Sequence, residues 1–511
     1  MAASQAVEQF DLIVVGGGPG GSTVSTLVAQ QGRRVLVLER ERFPRHRIGE
    51  SLLPATIHGI CPILGVLEEV ESAGFTRKRG GTFLWGKSKT PWTFDFSVNP
   101  NSRMGYAYQV ERSKFDDILL RNAQRAGVEV RQECTVDELV MEGDAVVGVR
   151  YRDAEGVARE VRAPFVADAA GHQSKFYSHV GDRHFSKFFQ NVAVYGYFRN
   201  GKRLPAPNSG NIYCAAFDDG WFWYIPLSPE LTSVGAVISR AAYDRMTGTR
   251  EETFRHFLDA CPTMRDMLEG STQETGEMYG DFRIRKDYSY LNTRFYRKGL
   301  VLIGDSACFI DPVFSSGVHL ATYSGLLAAR SINTCLSGDL DAETCFAEYE
   351  RRYRREYGNF YRFLISFYDM HRDTQSYFWE ARKILHSEES ANDAFVRLVA
   401  GRSDLADPAF SAQQFLGGGE KLGEWFQSQS TAGAAHNERM LDAINSADGT
   451  AQAANESEQF MEELLQEVVQ LQMQGQLGSD RPVENERPIV AGGLVPSADG
   501  LHWRIMEEEM A

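Results

Sequence analysis

The chain has 511 residues, 43% hydrophobic and 24% charged, which suits a soluble globular protein of about three or four domain-sized units. It lacks the run of about 18 apolar residues that a membrane helix needs. Its first basic residue is Arg33, so neither membrane insertion nor a secretory signal is expected. Net charge is −15, of which residues 401–511 carry −13 (6 Lys/Arg against 19 Asp/Glu), leaving −2 on residues 1–400; this balance excludes nucleic acid as the main partner.

Residues 10–15 (Phe-Asp-Leu-Ile-Val-Val) predict a buried strand and Gly16–Gly21 a glycine-rich turn. Residues 22–31 predict a helix closed by Gly32, and Arg34–Leu38 a second buried strand. Together they make a βαβ opening. From 106 to 170 short strands dominate, including Val146–Tyr151 and Phe165–Ala167, with one helix over Lys114–Ala126. Residues 191–238 alternate and are rich in aromatics, which predicts an antiparallel sheet. Residues 250–268 predict a helix, Val301–Ile303 a buried strand running into Gly304-Asp305, and a further helix starts near Gly317. A long helix rich in Arg and Tyr is expected over 341–386. Beyond about 400 the chain turns Gly-, Ala-, Gln- and Ser-rich, with one amphipathic helix over 457–474. Its seven cysteines (Cys61, Cys134, Cys214, Cys261, Cys308, Cys335, Cys345) form no Cys-x-x-Cys pair. No metal site and no disulfide framework are expected, and a cytoplasmic protein with reduced thiols is.

Gly16-x-Gly18-x-x-Gly21 follows a strand, opens a helix, and is followed by Glu39 at the end of the next strand. That is the context a dinucleotide site requires. Gly16 makes the turn, Gly18 lets a pyrophosphate approach the backbone, and Gly21 lets helix and strand pack. The helix N-terminus offers unpaired N–H groups to the phosphates, and Glu39 suits the ribose hydroxyls. Gly417-Gly418-Gly419 follows no buried strand and is expected to be a linker. No second nucleotide-binding βαβ unit is visible.

Three later segments favour FAD over NAD. Arg112 precedes the Phe115-Asp116-x-x-Leu119 helix, Asp168-Ala169-Ala170-Gly171-x-x-Ser174 ends a strand, and Gly304-Asp305 with Pro312 ends another. In this order they resemble the FAD-dependent monooxygenase superfamily of the p-hydroxybenzoate hydroxylase type. Within it, Trp221-Phe222-Trp223-Tyr224-Ile225-Pro226 resembles the Trp-x-Trp-x-Ile-Pro signature of flavin-dependent halogenases. Asp311–His319 resembles the halogenase loop, and Phe43–Pro54 the halogenase segment after the first βαβ turn.

The resemblance implies an α/β fold with a Rossmann-type FAD domain, an antiparallel-sheet substrate domain and a helical C-terminal region. The corresponding division is a discontinuous FAD-binding domain (1–90, 104–185, 280–335), a substrate-side sheet (91–103, 186–279), a helical region (336–400) and an acidic, partly flexible extension (401–511). It implies FAD supplied reduced by a separate flavin reductase, with chloride or bromide as co-substrate oxidised through a flavin C4a-hydroperoxide to hypohalous acid. Arg47, Ser51, Arg112, Asp305, Pro312 and Gly317 would lie along the cofactor. Ser316 and Gly317, at a helix start, would hold the halide. Trp221 and Trp223, on one side of a strand, would wall the flavin from the substrate.

Gly74–Gly80 with Phe83-Leu84-Trp85-Gly86 resembles the context of the family's catalytic lysine, which implies Lys78; Lys87 and Lys89 lie close by. The likeness is to halogenases of secondary metabolism that act on carrier-tethered aromatic rings, which implies an acyl or peptidyl carrier protein as partner. The extra substrate region and additional Glu of free-tryptophan halogenases are not found. Arg351, Arg352, Arg354 and Arg355 read either as a solvated helix face, with Tyr349, Tyr353 and Tyr357 packed inward, or as a carrier-docking patch that the acidic tail covers. A single-component FAD aromatic hydroxylase is the alternative reading.

Overall fold

The structure, a computed structural model, describes residues 7–85, 90–96, 105–369, 398–401, 489–490 and 493–506. Lys87, Lys89, the Gly417 run and the amphipathic 457–474 segment lie outside these residues.

The expected βαβ opening is present as strand Leu12–Val15, helix Pro19–Ala29 and strand Val35–Leu38. Gly32 turns the chain at a φ of +74°. These strands join a six-stranded sheet in the order Tyr296–Arg297, Leu300–Leu302, Phe165–Asp168, Leu12–Val15, Val35–Leu38, Glu129–Arg131. All neighbours are parallel except the first pair. The central strands are uninterrupted Leu, Ile and Val because both faces are covered. The strand ends at Val15, Asp168 and Leu302 therefore point the same way, and the turns after them converge. A sheet of this kind binds ligands at the carboxyl ends of its strands.

A nine-stranded sheet forms the second layer. Arg183–Arg199 lies between Arg283–Asn292 and Leu231–Ile238, and Gly220–Pro226 and Ile212–Phe217 follow, all antiparallel as predicted. Ile212–Phe217 then pairs parallel with Gly80–Leu84, which carries the Lys78 region to the sheet's far side. Alternation along Gly220–Pro226 splits its aromatics. Trp221, Trp223 and Ile225 join the main core, while Phe222 and Tyr224 pack with Phe254, Phe257 and Met264 of the covering helices. The helix expected over 250–268 is two helices, Arg250–Asp259 and Pro262–Met267. Cys261 leaves the helical region (ψ 85°) because it precedes a proline.

Helix Gly317–Ser337 crosses behind the first sheet against Pro19–Ala29, and helix Ala342–Asp369 packs on it. The close approach of the first pair is possible because Gly20 and Gly325 face each other; a Cβ on Gly325 would lie 2.8 Å from the Gly20 carbonyl. The far end of the 401–511 stretch is packed, since a short hairpin (Leu494–Pro496 with Trp503–Ile505) docks on these two helices. Trp503 is 1% exposed, its indole N–H donates to Ser331 Oγ at 2.9 Å, and Arg330 and Arg352 lie over its ring at 5.4 and 4.9 Å. All seven cysteines are free.

Candidate active site

A cavity of about 340 Å3 opens where the strand ends of the first sheet meet the second sheet. Of the residues singled out from sequence, Gly16, Gly18, Glu39, Arg47, Ser51, Arg112, Trp221, Trp223, Asp305, Pro312 and Gly317 line it. Gly21, Lys78 and Ser316 do not.

The glycine turn is built as its spacing implied. Gly16 has φ +101°, and a Cβ there would lie 2.6 Å from the Ala169 carbonyl oxygen. Gly18 is the N-cap of the eleven-residue helix Pro19–Ala29 and leaves the cleft side open. Gly21 is a packing glycine, since a Cβ would lie 1.9 Å from the Gly16 carbonyl oxygen. Glu39 accepts from the Gly17 and Glu41 amides at 2.7 and 2.8 Å, which fixes its carboxylate and leaves a second lone pair on each oxygen.

The helix expected from Lys114 begins at Arg112, so Arg112 and Asp116 stand one turn apart. Arg112 forks onto Asp116 (Nε–Oδ1 2.7 Å, Nη2–Oδ2 2.9 Å) and donates to the Ile48 carbonyl at 2.9 Å. Arg45 reaches the same carboxylate at 2.6 Å. The two guanidinium groups hold Asp116 below the usual carboxylate range despite its burial. Arg47 pairs with Glu41 at the rim. Asp305 faces Arg285 at 3.8 Å, yet desolvation raises its pKa against the pull of Arg285, Arg112 and Arg183.

Trp221 and Trp223 are 2% and 5% exposed, with ring centroids 6.3 Å apart. Trp223 Nε1 donates to Ser233 Oγ at 3.2 Å. Tyr195 packs on the Trp223 ring at 5.7 Å and Trp85 on Trp221 at 6.1 Å, so the indoles form a supported wall.

Residues 312–314 make one 3-10 turn, Ser315 takes φ +61°, and the 21-residue helix starts at Gly317. Asp311 holds this loop by accepting from the Val313 amide (3.1 Å), Asn191 Nδ2 (2.9 Å) and Tyr368 OH (3.0 Å). Ser316 is the N-cap by position, but its hydroxyl caps nothing. Its Oγ is buried and makes no hydrogen bond, while Ser315 and Gly317 face the cavity.

Lys78 ends the short strand Thr76–Lys78, outside the cavity lining, and is 2% exposed. Its Nζ donates to the Leu52 carbonyl at 3.0 Å and lies 5.2 Å from the Phe96 ring centroid. Burial pushes its pKa down to about 7, and the nearby Cys214 thiol offsets this only in part. Leu52 follows Ser51, so one extended segment joins the lysine to the cavity lining.

Three of the four arginines of the cluster are engaged within the fold, which favours the structural reading of this helix over carrier docking. Arg351 and Arg352 both reach Glu348 at 2.6 Å, and Arg352 also donates to the Leu494 carbonyl at 2.7 Å. Arg354 pairs with Glu350 at 2.9 Å and donates to the Asn292 and Thr293 carbonyls. Acids three and four residues upstream make these pairs intrahelical. Tyr349, Tyr353 and Tyr357 are buried, as expected.

Sequence reasoning assigned no role to Glu50, His46 or Tyr197. Glu50 lines the cavity at 1% exposure and accepts from Tyr197 OH at 2.8 Å; Tyr197 in turn meets His46 Nε2 at 2.7 Å. Glu50 and His46 lie within the Phe43–Pro54 segment, but no local signal pairs them with a tyrosine almost 150 residues away.

The cavity fits FAD: a glycine turn at a helix N-terminus, a carboxylate at the second strand's end, and a buried Ser51 hydroxyl without a hydrogen bond. The family model described as "Tryptophan halogenase" matches residues 11–102 and 97–416. The chain belongs to this family of FAD-dependent halogenases. It is 35% identical to "Tryptophan 2-halogenase" of Chondromyces crocatus over 427 residues, covering 81% of this chain and 80% of the relative. It is 30% identical to "1H-pyrrole-2-carbonyl-[peptidyl-carrier protein] chlorinase" of Pseudomonas fluorescens over 383 residues, covering 70% and 83%. The structure of the myxobacterial chondrochloren halogenase CndH, described as a new variant of FAD-dependent halogenases, is 60% identical. It aligns with a TM-score of 0.70 over 79% of this chain and 93% of that one. This halogenase therefore has the p-hydroxybenzoate hydroxylase-like fold and uses FAD with a halide co-substrate. Among its described residues, no helix is long and apolar enough to cross a membrane.

Proposed function

We propose that this halogenase chlorinates or brominates an electron-rich ring, a phenol or tyrosyl group held on an acyl or peptidyl carrier protein, with FAD supplied reduced by a separate reductase. The observation that carries this reading is Lys78, a buried amine held by the Leu52 carbonyl, next in the chain to Ser51 of the cavity lining; burial lowers its pKa to about 7. Bound reduced FAD, with oxygen, supplies the oxidising power that turns halide into hypohalous acid.

The chain's own residues do the rest. The Gly16–Gly18 turn and the following helix start receive the pyrophosphate, Glu39 the adenosine ribose, and Arg47, Ser51, Arg112, Asp305 and Pro312 the remainder of the cofactor. Gly317, which lines the cavity, offers the helix start to the halide, whereas Ser316 does not reach the cavity lining. Trp221 and Trp223 exclude the ring substrate and water from the flavin side. A pKa near 7 leaves about half of Lys78 as free amine at neutral pH, able to engage hypohalous acid by hydrogen bonding or as a chloramine and direct it to the ring.

The tethered substrate is supported by the pyrrolyl-carrier chlorinase among the relatives. The name of the Chondromyces relative favours free tryptophan as the second reading. Mass spectrometry of a complete reaction (reductase, FAD, NADH, oxygen, chloride) separates them. Tyrosine on a carrier, free tyrosine and free tryptophan are offered in parallel. A chlorine isotope doublet on the carrier-bound substrate alone is expected. A doublet on free tryptophan alone would replace this reading with the second.

A further inference from the structure

The proposed reaction balances as FADH2 + O2 + ArH + Cl− + H+ → FAD + ArCl + 2 H2O. Oxygen takes four electrons, two from the flavin and two released as C–H becomes C–Cl. One proton enters for every halide anion consumed, so a site that admits the anion must also admit a proton.

Three carboxyl groups named above line the cavity. Glu39 is held by two backbone amides and Asp305 faces Arg285. Glu50 is different: it is 1% exposed, Oε1 accepts from Tyr197, the Ser233 hydroxyl lies close by, and Oε2 has no partner at hydrogen-bond geometry. Tyr197 is fully buried, while His46, outside the cavity lining, is only half-buried. The three groups form a hydrogen-bonded chain from half-buried His46 to cavity-lining Glu50, with steps of 2.7 and 2.8 Å.

We propose that Glu50 supplies the proton the reaction consumes, recharged from solvent through Tyr197 and His46; this rests on the halogenase reading above. Tyr197 has one hydroxyl proton and gives it to Glu50, so His46 must donate its Nε2–H to the tyrosine oxygen. For inward transfer the Tyr197 O–H bond breaks as a Glu50 Oε1–H bond forms. The His46 Nε2–H bond breaks as the tyrosine hydroxyl is restored, and His46 Nδ1 binds a proton from solvent. One proton enters, Glu50 becomes neutral, and His46 changes tautomer without becoming charged. Rotation of the carboxyl then presents the proton on the cavity side.

The surroundings suit each step. Burial, joined by Glu111, raises the Glu50 pKa to about 7 against the Ser233 and Tyr197 hydroxyls and the Arg112 charge. Burial and the charges of Arg283, Arg47, Arg112 and Arg45 lower His46 to about 3, so it stays neutral. Burial first, then Glu50, Tyr195 and Tyr279, raise Tyr197 well above the phenol range, so it passes a proton without persisting as a phenolate. Tyr195 and Tyr279 pack their rings around His46 at 6.4 and 5.9 Å, and Tyr279 OH engages Glu111 at 3.0 Å.

The test is an infrared titration of the FAD-bound protein between pH 5 and 9, with turnover measured across the same range. The wild type is expected to show a carboxyl titrating near pH 7 that Glu50→Gln lacks. Its turnover should fall about tenfold per pH unit above that midpoint, whereas Glu50→Gln is slow throughout and loses this limb. Tyr197→Phe keeps the carboxyl, raises its midpoint, and slows its reprotonation after a pH jump at least tenfold. If Glu50→Gln does not fold, Glu50→Asp serves instead and should shift the midpoint without abolishing it. Absence of any carboxyl titrating between pH 6 and 8, or wild-type reprotonation in Tyr197→Phe, would overturn the relay. The infrared arm reads Glu50 whether or not a halogenated product forms, so it stands apart from the substrate proposal.

Discussion

Replacing Lys78 by Met should make the protein more stable and inactive at once. The ordinary pKa of 10.5 falls to about 7 in the fold. At about 1.4 kcal/mol per unit, keeping the ammonium buried costs about 5 kcal/mol. Methionine fills similar space but leaves the Leu52 carbonyl without its donor, which costs about 1–3 kcal/mol. The net gain at pH 6 is therefore about 2–4 kcal/mol. The sign of its pH dependence follows from proton binding. Between pH 7 and 10.5 the unfolded chain binds more protons at Lys78 than the folded one, so wild-type stability rises with pH there. The advantage of the variant should shrink through that window and reach about zero near pH 9. Urea denaturation at pH 6 and 9, with FAD affinity and halogenation measured on the same samples, checks this. Equal destabilisation at both pH values would refute the buried, desolvated amine, and retained halogenation would refute its role.

Four other outcomes follow from the same geometry. Trp221→Ala should cost about 3–5 kcal/mol of stability because the indole is fully buried, and it should lower halogenated product per flavin oxidised while raising hydrogen peroxide release. Gly16→Ala meets both the Ala169 carbonyl and a φ of +101°, so FAD binding followed by flavin fluorescence should weaken at least a hundredfold. Trp503→Ala should lower stability by about 3–5 kcal/mol and leave FAD affinity within twofold, since the Trp503 hairpin packs on the two helices behind the FAD-side sheet. Arg351→Glu should leave the KM for a carrier-bound substrate within twofold, whereas a rise of tenfold or more would restore the docking reading of that helix.

The parts of the site legible from sequence are those encoded within one turn or one strand. The glycine turn is legible because φ above zero and close backbone approach permit little but glycine. Trp221 and Trp223 are legible because strand alternation alone puts them on one side. Long-range pairing hides the rest. Lys78 is identified by likeness to a family segment, yet its burial depends on how its neighbouring strand Gly80–Leu84 joins Ile212–Phe217. The Arg351–Arg355 run has the composition of a docking patch, and only the register of Glu348 and Glu350 on the same helix shows that Arg351, Arg352 and Arg354 are paired within it. The C-terminal stretch is acidic and weakly patterned on average, which conceals one tryptophan that anchors its end. Cys261-Pro262 carries a local signal that the helical pattern of 250–268 overrode.

The central claim is that oxidant is made on the flavin side of the tryptophan wall and used on the Lys78 side. The most direct measurement gives Lys78→Ala reduced FAD, oxygen and chloride together with a small diffusible trap for hypohalous acid. The account predicts that the trap is chlorinated in proportion to flavin oxidised while the aromatic substrate is not. Loss of trap chlorination together with substrate chlorination, at unchanged FAD affinity and oxidation rate, would place Lys78 in the oxidant-forming step and contradict the division between the two sides.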